Sequence, residues 1–237
     1  MAITYDQYVS QISNLMVIGS TDANFLTMLP GMIDYAEGRA YRELDLLTTR
    51  ITTTTTLSSG NRNVTLPTSA GTYRVVEVVN VMTTVGQGSS NGTRAPVTPT
   101  SRDFIDAVYP SGQSNTSVPL FWAMNANTDL ILGPAPDAGY TAEIVGTIQP
   151  TALSSTNTTT FLTTNLPDLF IAASMVFGSG YMRDFGAQAD NKDMSGSWES
   201  QYTTLFQSAN VETLRQKYQS GGWTHAQPSP IATPQRA

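Results

Sequence analysis

Residues 22–50 read DANFLTMLPGMIDYAEGRAYRELDLLTTR, and residues 51–57 continue as ITTTTTL. In the first stretch Phe25, Leu29, Met32, Ile33, Ala36, Ala40, Tyr41, Leu44 and Leu47 recur at helical spacing. Asp34, Glu37, Arg39, Arg42, Glu43 and Asp45 fall mostly between them. The spacing predicts a long amphipathic helix with Asp22 as its N-cap. Pro30 lies inside it and is expected to kink it, or to start a second piece after a short turn. The threonine run that follows is β-branched, poor in helices and good in strands. A helical layer therefore feeds directly into a β module.

Working outward toward the amino end, Tyr5 to about Ile18 forms a first helix. Thr4 and Gln7 fit a capping box. Toward the carboxyl end, residues 49–149 read as β structure. The candidate strands are Arg50–Leu57, Asn63–Thr65, Tyr73–Thr84, Ala95–Thr98, Leu120–Met124, Thr128–Leu132 and Thr141–Ile148. Ser101 caps a short helix, Ser101–Val108, and Gly86–Thr93 makes an exposed, mobile loop tip. Thr151–Thr164 is a polar connector. Asn165 then caps a helix opening on Leu166 and Pro167, in which Gly178 and Gly180 mark close packing or a bend. A last helix spans about Gln188–Gln219.

The expected class is α+β: a helical bundle of the N- and C-terminal helices, an inserted antiparallel β domain and an extended C-terminal tail. The boundaries are 1–48 with 165–219 for the bundle, 49–164 for the β domain and 220–237 for the tail.

Composition narrows the function. Charged residues make up 13% of the 237, about half the usual globular share of ~25%. A net charge of -6 argues against a sequence-reading nucleic-acid binder, which needs a basic face. The chain has 0 cysteines, which excludes disulfides, thiolate metal sites and cysteine nucleophiles. No apolar run reaches the ~18 residues of a membrane span, and the amino end lacks the pattern of a signal peptide.

Catalytic readings fail one by one. His225 is the single histidine, and it stands in a proline-rich stretch without the partners that a triad or zinc site needs. Gly86, Gly88 and Gly92 lack the Lys-Ser/Thr of a phosphate loop. Ser179 in FGSGYM lacks the spacing of a nucleophile elbow and falls within a helix. The acids Glu37, Glu43 and Asp45 alternate with Arg39 and Arg42, as do Asp184, Asp190 and Asp193 with Arg183 and Lys192, and read as ion-paired faces. Trp198, Tyr202 and Phe206 recur every four residues as a packing stripe. No catalytic, cofactor-binding or metal residue is expected, and no cofactor. In the tail, Trp223, His225, Pro228, Pro230, Ile231 and Pro234 form an extended segment with an aromatic anchor, suited to docking on a partner.

Four segments, in order, resemble the tailed-bacteriophage head-to-tail adaptor (connector) family. They are TYDQYVSQISNLM; LPGMIDYAEGRAYRELDLL running into threonine-rich strands; TLP, YRVVEVVNV, SRDFIDAVYP, VPLFWAM and LILGPAPDAGYTAEI; and NLPDLFIAASMVFGSGYMRDF with SWESQYTTLFQSAN. The resemblance implies a non-enzymatic ring of twelve copies in the virion neck, assembled in the host cytoplasm. It implies the phage portal protein on one side, tail or nozzle proteins on the other, non-specific passage of DNA through the lumen, and no membrane. The tail residues Trp223 to Pro234 are then candidates for portal docking. Asp34, Glu37, Arg39, Arg42 and Glu43 are candidates for inter-subunit pairing. Gly86, Gln87, Gly88, Ser111, Gly112 and Gln113 are candidates for loops that face neighbours or the tail. The alternative is a β-domain phage tail or decoration protein that binds a host glycan through exposed aromatics, with Phe121 and Trp122 as half-buried candidates.

Overall fold

The computed structural model describes residues 2–111, 115–182 and 194–218. By its contacts the chain divides into two compact units, Met1–Leu47 with Leu162–Ala237, and Thr48–Phe161. The class is mixed α+β.

In the helical unit, α1 (Tyr5–Leu15) opens on the capping box: the Gln7 N–H donates to Thr4 Oγ1, and the Thr4 N–H to Gln7 Oε1. The helix stops earlier than its apolar stripe suggests. Val17 adopts a left-handed φ of 55°, and the Ile18 N–H turns back to the Ser13 carbonyl, which closes the helix end. Helix α2 (Ala23–Glu43) begins at Asp22, whose carboxylate accepts from the Asn24 and Phe25 N–H groups. It runs as one helix through Pro30, so the expected second piece does not form. The burial of Phe25, Leu29, Met32 and Ile33 on either side of the proline outweighs one lost backbone hydrogen bond.

Helix α4 (Phe161–Asn165) lies where a polar connector was expected. Its threonines are weak helix formers, but Leu162 and Thr163 are fully buried, and packing overrides propensity. Pro167 starts α5 (Pro167–Met182), where its missing donor costs nothing. Helix α5 is buried over most of its circumference and packs against α2 and α6 (Met194–Tyr218). Gly178 is a point of close packing: a Cβ there meets Met32 Cε at 2.8 Å and Met16 Sδ at 3.4 Å. The Tyr8 hydroxyl donates to Ser174 Oγ, which donates to the Phe170 carbonyl, both at 2.8 Å. This buried relay fastens α1 to α5, and burial pushes the Tyr8 phenol pKa up.

The β unit contains β1 (Arg50–Thr56), β2 (Asn63–Thr65), β3 (Gly71–Met82), β4 (Arg94–Pro99), α3 (Arg102–Val108), β5 (Phe121–Ala126), β6 (Asp129–Gly133) and β7 (Thr141–Pro150). The seven strands form one sheet in the order β1-β7-β3-β4-β5-β6-β2. The expected all-antiparallel arrangement needs correction, because β4 and β5 pair in parallel. The connection between them carries α3 and returns the chain in the same direction, as a parallel pair requires. Leu57, Val79, Trp122, Leu130, Ile144 and Ile148 are among its buried core. Ile105 of α3 packs separately on Ala123 and Ile131. Gly146 sits opposite the irregular stretch of β3, where its absent side chain leaves room for the Val75 carbonyl.

Candidate functional site

Within the helical unit the charged face of α2 gathers on α6. Arg39 is mostly buried and forks onto Glu199 with bonds of 2.7 and 2.5 Å. Its Nε donates to Glu43 at 3.0 Å, one turn along α2. The guanidinium lies 3.9 Å over the ring of Tyr202, and the Tyr202 hydroxyl donates to the other Glu43 oxygen at 2.6 Å. Glu199 and Tyr202 are three residues apart, on one face of α6. The Arg39 bonds hold the Glu199 carboxyl below its usual range, and raise the guanidinium pKa further. Burial, then the bond to Glu43, pushes the Tyr202 phenol up. Lys217, near the end of α6, pairs with Asp45 just beyond α2. This is a polar clamp joining two helices.

The five pairing candidates therefore separate. Arg39 and Glu43 are engaged within the chain, and Glu37 is buried. Asp34 and Arg42 are exposed. Glu199 and Tyr202 were missed as partners of Arg39, although their helical spacing in the sequence is a signal for a shared face.

Other candidates are placed as follows. Gly86, Gln87 and Gly88 are exposed at the tip of the β3–β4 loop. The loop is tied by N–H donation from Gln87 to the Thr84 carbonyl and from Gly92 to Gly88, and by Arg94 donating to the Ser89 carbonyl. Ser111 is half-buried. Gly112 and Gln113, and all of Trp223, His225, Pro228, Pro230, Ile231 and Pro234, lie outside the described residues. Trp122 is buried at 6% exposure, and Phe121 is covered edge-on by Phe104 at 5.3 Å.

On the far side of α6 from Tyr202, Ala209 and Thr213, the residues Val211, Leu214 and Tyr218 form an exposed apolar stripe. In the β unit, buried Glu143 accepts from Arg94 and Asn80. The Arg94 bond holds its carboxyl low. Among the described residues no group of three or more His, Cys, Asp or Glu is placed to hold a metal, and no helix is long and apolar enough to cross a membrane.

One comparison decides the family: the family model described as SU10 adaptor protein matches residues 3–227. The chain belongs to the SU10 adaptor protein family. No curated protein matches it. The SU10 adaptors are a phage head-to-tail adaptor family, so this chain is a phage adaptor protein. Membership implies association with portal and tail proteins and a place in the virion neck, and it suggests a non-enzymatic role.

Proposed function

We propose that this chain forms a ring, of twelve copies in the virion, between the portal and the tail, and that the ring finishes the channel through which DNA passes. The observation that carries the reading is the family match over residues 3–227. The net charge of -6 supports it, because neutral or repulsive walls let DNA slide without binding. In this reading the N- and C-terminal helices form one bundle that meets the portal. The exposed stripe of α6, with Trp223 and His225, reaches it first, which leaves Pro228, Pro230, Ile231 and Pro234 to a contact between copies. Asp34 and Arg42 pair across subunits, and the loops at Gly86–Gly88 and Ser111–Gln113 face neighbours or tail proteins. The ring assembles in the host cytoplasm.

The test is the mass of the purified protein alone and after mixing with its portal. Twelve copies bound per portal ring are expected. A chain that stays monomeric beside an intact portal refutes the proposal. Strong retention of DNA by the assembled ring at physiological salt refutes the non-adhesive lumen.

A further inference from the structure

The sheet of the β unit ends on two edges that are treated differently. The β2 edge is three residues long, one of the ordinary ways an edge is kept from pairing with another chain. The β1 edge is seven residues, RITTTTT, with a single charge at Arg50. It has no proline, no bulge and no buried residue. A long, flat, nearly uncharged edge is what soluble proteins avoid unless something covers it.

The phase of that edge can be assigned. The Leu57 N–H donates to the Tyr140 carbonyl at 2.8 Å, continuing the register in which Thr56 lies opposite Thr141. Antiparallel pairs alternate, so Ile51, Thr53 and Thr55 direct their backbone groups to β7. Thr52, Thr54 and Thr56 direct theirs outward. Among the described residues no backbone group pairs with that outward row.

The sequence holds a segment suited to it. Pro228, Pro230 and Pro234 in QPSPIATPQ all stand at even positions. In an extended strand, alternate residues point their N–H groups to opposite edges. All three missing donors therefore fall on one side. Gln227, Ser229, Ile231, Thr233 and Gln235 keep an unbroken row of donors on the other, with β-branched Ile231 and Thr233 at its centre. Once added, such a strand shows its neighbours a proline-lined edge, and pairing stops after one strand. The prolines lie beyond residue 227, where the family match ends.

We infer that residues 227–235 of a second copy add as a strand to the outer edge of β1. The inference rests on the ring reading for its choice of occupant. Pairing of β1 with β1 is two-fold and closes at a dimer, whereas tail to edge is heterologous and repeats around a ring. From Tyr218, where α6 ends, the chain to residue 227 spans at most ~30 Å.

The test uses the full chain and the parity of the prolines. Ile231→Pro places a proline in the donor row, and Ala232→Pro adds one to the row already blocked. A fluorescent peptide of residues 224–237 is titrated into the full-length I231P protein, whose own tail no longer competes. The peptide binds, and hydrogen exchange across residues 50–57 slows about tenfold when it is saturating. The A232P peptide binds within about twofold of it, and the I231P peptide at least tenfold more weakly. Thr54→Pro in the receiving protein, which removes an outward N–H and leaves the β7 ladder intact, abolishes binding with an unchanged circular dichroism spectrum. Equal binding of the I231P and A232P peptides overturns the inference. So does protection of residues 50–57 in the unmodified protein that persists undiminished on dilution, because the tail then covers its own chain. A chain that takes the peptide on β1 yet forms no ring on the portal refutes the ring reading alone.

Discussion

Arg39→Ala removes the group on which the attachment of α6 to α2 turns. The guanidinium stacks on buried Tyr202 at 3.9 Å, a cation–π contact of about 1 kcal/mol. Its fork onto Glu199 has favourable geometry, but that carboxylate is 44% exposed, so screening reduces the pair to about 1 kcal/mol. The bond to Glu43 at helical spacing adds about 0.4 kcal/mol. The expected loss is therefore about 2–2.5 kcal/mol, read as a lower urea midpoint by far-ultraviolet circular dichroism, which follows the helices. Arg39→Lys keeps the charge and loses the planar fork, so it retains roughly half of this. Glu199→Ala and the double variant complete a cycle with an expected coupling of about 1 kcal/mol. An R39A midpoint within about 0.5 kcal/mol of the parent, or strict additivity with E199A, refutes the clamp.

Three other outcomes follow from the same reasoning. Because Arg39 depresses the Glu199 pKa in the folded chain, the contribution of this carboxylate is complete above the ordinary glutamate value of about 4.3. It is lost as pH falls through the lower folded value. An acid titration of stability should show a shallower fall in E199Q over that window. Val17→Asn should raise the thermal midpoint by about 0.5–1 kcal/mol equivalent, because Val17 is 84% exposed at a left-handed φ that asparagine tolerates and a β-branched residue does not. Gly146→Ala should cost more than about 3 kcal/mol, since its Cβ comes within 2.2 Å of the Val75 carbonyl, while Gly139→Ala, at 3.7 Å from its nearest neighbour, should leave the midpoint unchanged.

How far the sequence could be followed depended on whether the signal was local. The caps at Thr4, Asp22 and Ser101 are local hydrogen-bonding choices, and each is where the sequence placed it. The strand Asn63–Thr65 has the expected bounds, and β1 is one residue shorter than expected. Where tertiary packing decides, local signals mislead: α4 forms from threonines, and α2 continues past Pro30 as one helix. The strand order and the parallel β4–β5 pair depend on contacts between distant residues that no local pattern records. The charged face of α2 was legible as ion-paired, but its partners Glu199 and Tyr202 stand some 160 positions away. No spacing rule joins residues so far apart.

The seam where Met16 and Met32 close over Gly178 has a mechanical consequence. Thioether chains are unbranched and turn about three bonds, so they refill a gap that leucine or isoleucine would leave open. A small change in the spacing of α2 and α5 would therefore be filled by the thioethers instead of leaving a void. The seam is thus an adaptable contact, while the Arg39 clamp fixes α6 on α2 by directed bonds. The same chemistry exposes a weakness: a sulfoxide at buried Met32 adds a polar oxygen where there is no room, so oxidation would spread this seam.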